Sequence, residues 1–232
     1  MHVVAIHQPN YIPWLGYFYK MSLVDTFVYL DNVQVSRGKS YVSRNRILSV
    51  SGSKPAWLTV PISGKGQMRQ IKDVEITENN WQRKHFRTLQ VNYGNQAGFQ
   101  EYEDVLKSIY LDTCWDKICE LNIRIMELIM FVLGINVKTV RASSLGLPEL
   151  CGDEILISIL KRLDTEIYVT GQGSGSTRYI TEDLVKAECI ELRYMEFKHP
   201  VYPQVAAPFV PNLSALDLVL THGQKARSFL FG

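Results

Sequence analysis

His7, Gln8, Asn10 and Tyr11 crowd hydrogen-bonding side chains into one proline-bearing turn, His-Gln-Pro-Asn-Tyr, directly after a short apolar run. Polar groups placed after a buried strand are what an open α/β sheet offers a ligand at the carboxyl ends of its strands. An imidazole there can act as general acid or base, or donate to an anionic ligand, because it changes charge near neutral pH. The competing role is structural, with His7 bonded to a backbone carbonyl that holds the turn. Asp31 ends a second apolar run beside Gln34. Its carboxylate can bind a ribose, an amine or a metal, or cap the loop that follows. One carboxylate makes no metal site, and Asp153 is explained as a helix cap, so no metal is expected.

Arg37, Lys39, Arg44 and Arg46 lie within ten residues, interleaved with serines. Guanidinium groups chelate phosphate or carboxylate bidentately, which makes this segment an anion clamp or else a solvated loop. If it is extended, Arg44 and Arg46 share a face. The run Gly171-Gln172-Gly173-Ser174-Gly175-Ser176 can bring backbone N–H groups close to a ligand, or serve as a flexible turn. It lacks the Gly-Lys-Ser/Thr of a Walker loop. Ser174 and Ser176 have no base placed for them, and Gly173-Ser174-Gly175 precedes no convincing helix, so a serine hydrolase is excluded. His199, Tyr202 and Gln204 form a second polar and aromatic knot, Asp217 and His222 a third, while His85 reads as surface or packing.

The elements that must position these groups follow from periodicity. Val3–Ile6 is expected as a parallel strand covered on both faces. Pro9 and Pro13 keep the next segment extended, so a helix begins only near Trp14 or Leu15, with Leu15, Phe18, Tyr19 and Ser22 at helical spacing, and ends before Asp25. Thr26–Leu30 is the next strand. Strands are also expected at 57–62, 71–76, 137–142, 166–170 and 190–194. Helices are expected at 81–93, 102–110 and 114–133, the last ended by Gly134, and at 155–160, 182–187 and 214–220. Asp153 and Thr181 are read as caps, as is Ser214 or Asn212. Alternating strands and helices predict a mostly parallel, Rossmann-like α/β sheet with a helical insertion at about 78–134. No Gly-x-Gly-x-x-Gly fingerprint follows the first strand, which argues against an ordinary dinucleotide site.

At 232 residues the chain suits one α/β domain, and its net charge of +2 gives no general case for nucleic acid or membrane binding. The longest apolar run, Ile123–Ile135, is interrupted by Arg124 and Glu127 and reads as a buried helix rather than a membrane span. No signal peptide is visible, which makes a cytoplasmic protein the expectation. Cys114, Cys119, Cys151 and Cys189 form no Cys-x-x-Cys pair and are read as buried reduced thiols.

Several of these motifs together resemble the WbqC-like family of bacterial proteins: His7 through Phe18, Phe27 through Gln34, Arg44-Asn45-Arg46-Ile47, Trp57 through Pro61, the Tyr168-Val-Thr-Gly171 strand end, and Leu213 through Asp217 with Gly223. The resemblance spans nearly the whole chain and implies one family domain over residues 1–232. The family is associated with O-antigen and other surface-polysaccharide gene clusters, and some members carry the label of glycine transferase. Its members usually have a shorter Gly-rich turn before the tyrosine matching Tyr179. A more distant similarity is to nucleotidyltransferases of the HIGH superfamily, with Trp14-Leu15-Gly16-Tyr17 at the His-x-Gly-His position. Gly16 is kept and both histidines are replaced, which removes imidazoles that stabilise a pentavalent phosphate.

The resemblance implies transfer of an aminoacyl or acyl group to an amino-sugar precursor, nucleotide- or lipid-linked. An ATP-dependent adenylating or nucleotidyl-transfer enzyme and a non-enzymatic sugar-nucleotide-binding protein are the alternatives. In the first reading His7 and Asp31 are catalytic. Gln8, Asn10, Tyr11, Tyr17, Gln34, Arg37, Arg44, Arg46, Gly171 and Gly173 bind substrate. Neither residues nor resemblance names a cofactor, a metal or an oligomeric state.

Overall fold

The computed structural model describes residues 1–36, 38, 40–49, 55–63, 69–78, 80–173 and 181–232. They form two compact units: unit 1 is Met1–Pro9, Gly16–Val33 and Asn136–Lys198, and unit 2 is Asn10–Leu15, Gln34–Ile135 and His199–Gly232.

Unit 1 is a five-stranded sheet of β1 (Val3–His7), β2 (Thr26–Tyr29), β5 (Lys138–Arg141), β6 (Ile167–Thr170) and β7 (Glu191–Tyr194), in the order β5-β2-β1-β6-β7. Every neighbouring pair is parallel. The expected Rossmann-like α/β architecture is therefore present. Val4, Ile6, Val28 and Tyr168 point to one face, where they pack with Ile155, Leu156, Ile159 and Leu160 of α5 (Gly152–Arg162) and Val185 of α6 (Glu182–Ala187). Phe27, on the other face, meets Tyr17 of α1 (Leu15–Ser22), ring centroids 5.2 Å apart. The central strands are buried on both sides, so their sequences are continuous apolar runs rather than alternating ones. α5 begins one turn earlier than its apolar stripe: Cys151 stands at the N-cap and Asp153 lies in the first turn without a side-chain cap bond, where its charge favours the helix dipole instead.

Unit 2 holds a two-stranded antiparallel ribbon, β3 (Arg44–Ile47) with β4 (Ala56–Thr59), and the helices α2 (Trp81–Tyr93), α3 (Ala97–Lys107), α4 (Ile118–Leu133), α7 (Ala215–His222) and α8 (Ala226–Phe231). α4 ends as expected: Gly134 takes φ 61° and its N–H reaches the Met130 and Phe131 carbonyls, a left-handed close that glycine adopts without strain. α7 is capped by Ser214, whose Oγ accepts from the Leu216 N–H at 3.1 Å. The expected strand at 71–76 is corrected to a short 3-10 turn, Ile71–Asp73, followed by isolated bridges of Glu75 to Lys117 and Ile76 to Ile62. Burying Ile71 and Val74 three residues apart requires a turn, not an extended chain. The 102–110 helix is corrected to α3 followed by a π-helical turn, Ser108–Asp112, that buries Ile109 and Tyr110. Cys119 is buried as expected, but Cys114, Cys151 and Cys189 are exposed because they sit at helix edges rather than on packed faces.

α3 lies against α7 through Gly98. A Cβ there would strike the Val219 carbonyl oxygen and come within 2.5 Å of the Gly223 nitrogen and 2.8 Å of the Leu220 carbonyl oxygen. Among the described residues no helix is long and apolar enough to cross a membrane.

Candidate functional site

In an open parallel sheet, ligands bind beyond the strand carboxyl ends where successive connections depart in opposite directions. With strand order β5-β2-β1-β6-β7 that point lies between β1 and β6. β1 ends in His7 and runs into Gln8; β6 runs into Gly171, Gln172 and Gly173. The register that pairs Ala5 with Val169 sets these two strand ends side by side.

His7 is the last residue of β1 rather than the residue after it. Its Nδ1 lies 3.0 Å from the Gln8 carbonyl. A carbonyl only accepts, so the proton resides on Nδ1 and Nε2 presents a lone pair. The Tyr17 hydroxyl donates to the same carbonyl at 3.1 Å, and its ring packs edge-on against the imidazole with centroids 4.7 Å apart. Burial first and the Lys20 charge second, against the opposing Gln8 bond, bring the His7 pKa down to about 3. At neutral pH His7 is therefore an uncharged acceptor, not a cationic donor to an anion. The structural role weighed above for His7 is real for Nδ1, and Nε2 has no hydrogen-bond partner among the described residues.

Lys20 was not singled out from the sequence, where it is one polar residue in an apolar helix. It is 3 % exposed, and its Nζ donates to the Ile6 carbonyl at 3.2 Å with the Phe27 ring centroid 5.8 Å away. Desolvation brings its pKa down to about 7. The unfolded chain binds this proton up to a higher pH than the folded one, so folding stability is expected to rise as pH climbs from about 7 toward 10.5. The contribution is fully present above 10.5 and is lost as pH falls through 7. Its slope should approach about 1.4 kcal/mol per pH unit. Urea titrations at several pH values check this; a Lys20→Met chain that keeps the same rise would rule Lys20 out as its source.

Asp31 is fully buried at the end of β2, and both its oxygens are engaged: Oδ1 accepts from the Ser143 N–H at 2.9 Å and Oδ2 from the Ser143 hydroxyl at 2.7 Å. The carboxylate ties the end of β2 to the loop after β5. This is the loop-fixing role considered for it, reached through a serine 112 residues away. Gly171 is buried, and a Cβ on Gly173 would meet nothing within 4 Å. Ser174 and Ser176 of the Gly/Ser run, and Tyr179, lie outside the described residues.

The other expected ligand residues belong to unit 2. Tyr11 is fully buried in a directed chain: the Tyr110 hydroxyl donates to the Tyr11 oxygen at 2.9 Å, and the Tyr11 hydroxyl donates to His85 Nδ1 at 2.8 Å. The Thr59 carbonyl accepts the imidazole's one ring proton, which leaves Nδ1 as the acceptor for Tyr11, and burial lowers the His85 pKa to about 4. Every group in this chain is satisfied, so Tyr11 and His85 serve packing. Asn10 is half-buried, and Gln34 is exposed and bridged to Gln70. Arg37 lies outside the described residues.

Arg44 and Arg46 do share a face, because the segment carrying them is strand β3. Asn45 and Ile47 point the other way and are buried, with the Asn45 amide donating to the Ile12 carbonyl at 2.9 Å. The Arg44 guanidinium stacks on Trp57 at 3.8 Å from the ring centroid, and that of Arg46 lies at 5.7 Å. Trp57, opposite Arg46 in the ribbon, is 44 % exposed. Among the described residues neither arginine pairs with a carboxylate, and the Nε of each is buried without a partner. Two constellations thus emerge: His7, Gln8, Tyr17 and the Gly171–Gly173 turn in unit 1, and Arg44, Arg46 and Trp57 in unit 2. Among the described residues no group of three or more His, Cys, Asp or Glu side chains is placed to hold a metal ion.

No solved structure matches the chain. A curated protein of Mycobacterium tuberculosis (strain ATCC 25618 / H37Rv), described as uncharacterized protein Rv1507c, is 32% identical over 232 residues, covering 99% of this chain and 98% of its own. The model of the WbqC-like protein family matches residues 8–229, from the turn after β1 to the last helix. The chain belongs to the WbqC-like protein family.

Proposed function

We propose that this protein is a transferase that moves an aminoacyl or acyl group onto the amine of an amino-sugar precursor of a surface polysaccharide. What supports the reaction type is the state of His7: an uncharged imidazole with its proton fixed on Nδ1 and its Nε2 lone pair at the switch point of a parallel sheet. An imidazole held to so low a pKa takes few protons from a free amine. Bonding to the acyl carbon makes the ammonium of the tetrahedral adduct more acidic than a free ammonium, so its proton can cross this weakly basic imidazole when the transfer is concerted with protonation of the departing heteroatom. The balance is simple: the amine nitrogen bonds to the acyl carbon, its proton passes to Nε2, and the imidazolium returns that proton to the departing heteroatom. Gln8 and Tyr17 fix the ring, and the turn Gly171–Gly173 borders the substrate. Arg44 and Arg46 of unit 2 are by themselves an anion-binding element suited to phosphate. Asp31 acts by holding the β2 loop rather than by touching substrate.

Strand order favours a second reading. A five-stranded parallel sheet with a central switch point also suits a nucleotide, so an adenylating enzyme that activates its own acid is the alternative. Pyrophosphate exchange into ATP, driven by glycine or another small acid, separates the two: only the adenylating enzyme gives exchange. For the direct transferase, His7→Ala is expected to lose on the order of 10²–10⁴ in rate. It should keep the thermal stabilisation that nucleotide-linked amino sugars confer. Unchanged turnover in His7→Ala would sink the role given to His7. Stabilisation without any turnover in the parent chain would make this a binding protein.

A further inference from the structure

The charge of this chain is strongly segregated. Residues 32–72 contain eight Lys and Arg and no Asp or Glu, leaving 17 basic against 23 acidic residues elsewhere. The ribbon β3–β4 lies inside that basic stretch. Its inner face is buried, through Ile47, Leu58 and Asn45, whose amide is bonded to the Ile12 carbonyl, so its outer face is presented on a fixed platform. On that outer face stand Arg44, Arg46 and Trp57, with Tyr41, 54 % exposed, 6.4 Å from the Trp57 ring.

We infer that the outer face of this ribbon, formed by Tyr41, Arg44, Arg46 and Trp57, docks on an anionic phospholipid surface. The inference rests on the anion-binding reading of Arg44 and Arg46 and names the source of the anion. Tryptophan and tyrosine carry an apolar body and a polar edge, the pairing that settles at the headgroup level of a bilayer. Basic clusters beside them are drawn to anionic headgroups within a Debye length. The contact of Arg44 with Trp57 supplies the order in advance: the guanidinium lies over the ring at 3.8 Å, its Nε is buried, and among the described residues no carboxylate pairs with it. The same contact disfavours single-stranded nucleic acid. A base stacking on the indole face where Arg44 lies at 3.8 Å would have to displace the guanidinium. A surface of this kind would bring a transferase to a lipid-linked acceptor without any membrane-spanning helix.

Vesicle co-sedimentation tests this with the full chain and no sugar substrate. Binding is expected to vesicles of phosphatidylcholine mixed equally with phosphatidylglycerol, not to phosphatidylcholine alone, and to weaken as salt is raised. Indole emission should shift to the blue on binding, and Trp57→Phe should remove most of that shift. The double variant Arg44→Ala with Arg46→Ala should partition roughly thirtyfold more weakly, with circular dichroism showing that it remains folded. Equal binding to neutral vesicles, or binding of a single-stranded oligonucleotide in place of vesicles, overturns the proposal. Binding of pyrophosphate without binding of vesicles overturns the lipid source and leaves the anion reading standing. Binding of neither removes both.

Discussion

Gly98→Ala is expected to destabilise unit 2 by about 3 kcal/mol or more, the upper end of what overpacking costs. Helix propensity works the other way: exchanging glycine for alanine inside a helix gains roughly 0.5–1 kcal/mol. Steric conflict wins because the obstacles are backbone atoms of α7 and the turn after it, the Val219 and Leu220 carbonyls and the Gly223 nitrogen, which no side-chain rotation can clear. α3 must therefore retreat from α7. Urea unfolding measures the effect. Gly173→Ala is the control, since a Cβ there meets nothing within 4 Å, and it should stay within about 0.5 kcal/mol of the parent. A Gly98→Ala chain that is as stable as the parent would mean that α3 and α7 do not approach through that glycine.

The second large effect is expected at Asp217, in the first turn of α7. It is fully buried, and three side chains share it: Tyr93 donates to Oδ1 at 2.7 Å, while Tyr202 and Gln204 donate to Oδ2 at 3.0 and 2.8 Å. Asp217→Ala leaves these donors without their acceptor and should cost about 3–5 kcal/mol. Asp217→Asn recovers only part of this, because its amide turns a donor toward donors. Tyr93→Phe removes one of the bonds and strands the Leu48 N–H, which the Tyr93 hydroxyl accepts at 3.2 Å, for about 1.5–3 kcal/mol. Desolvation raises the Asp217 pKa against the pull of those donors, so the carboxylate already pays for its burial. The loss in Asp217→Ala should consequently fall short of the sum of its separate bonds, and a double-mutant cycle with Tyr93→Phe reads the coupling. If Asp217→Ala unfolds no more readily than Tyr93→Phe, the residue is not the hub drawn here.

The parallel sheet was legible because burial on both faces writes itself as uninterrupted apolar runs, in Val3–Ile6 and Thr26–Leu30. α2 was legible to the residue, and α4 through its Gly134 stop. Arg44–Ile47 was not read as a strand because its buried positions are Asn45 and Ile47, and an amide that satisfies itself on the Ile12 carbonyl looks polar in the sequence. The shared face of Arg44 and Arg46 followed from extended geometry alone, but Trp57 beneath them needed the pairing register. At the candidate site, position gave His7, whereas its tautomer depends on a carbonyl one residue away. The bonds of Asp31 to Ser143, and those of Tyr11 to His85 and Tyr110, join residues too far apart in sequence for local pattern to report.

The interleaving of the two units bears on how the chain is made. Every segment of unit 1 has left the ribosome once Lys198 has, whereas unit 2 still lacks His199–Gly232. Until that tail emerges, the glycine face of α3 has no α7 to meet, and the Pro13 and Arg46 carbonyls lack the Ala215 and Ser214 N–H groups that they accept from at 2.7 and 2.8 Å. A nascent chain paused between these points would carry a finished parallel sheet and an uncovered helical surface, the kind of intermediate that chaperones shelter.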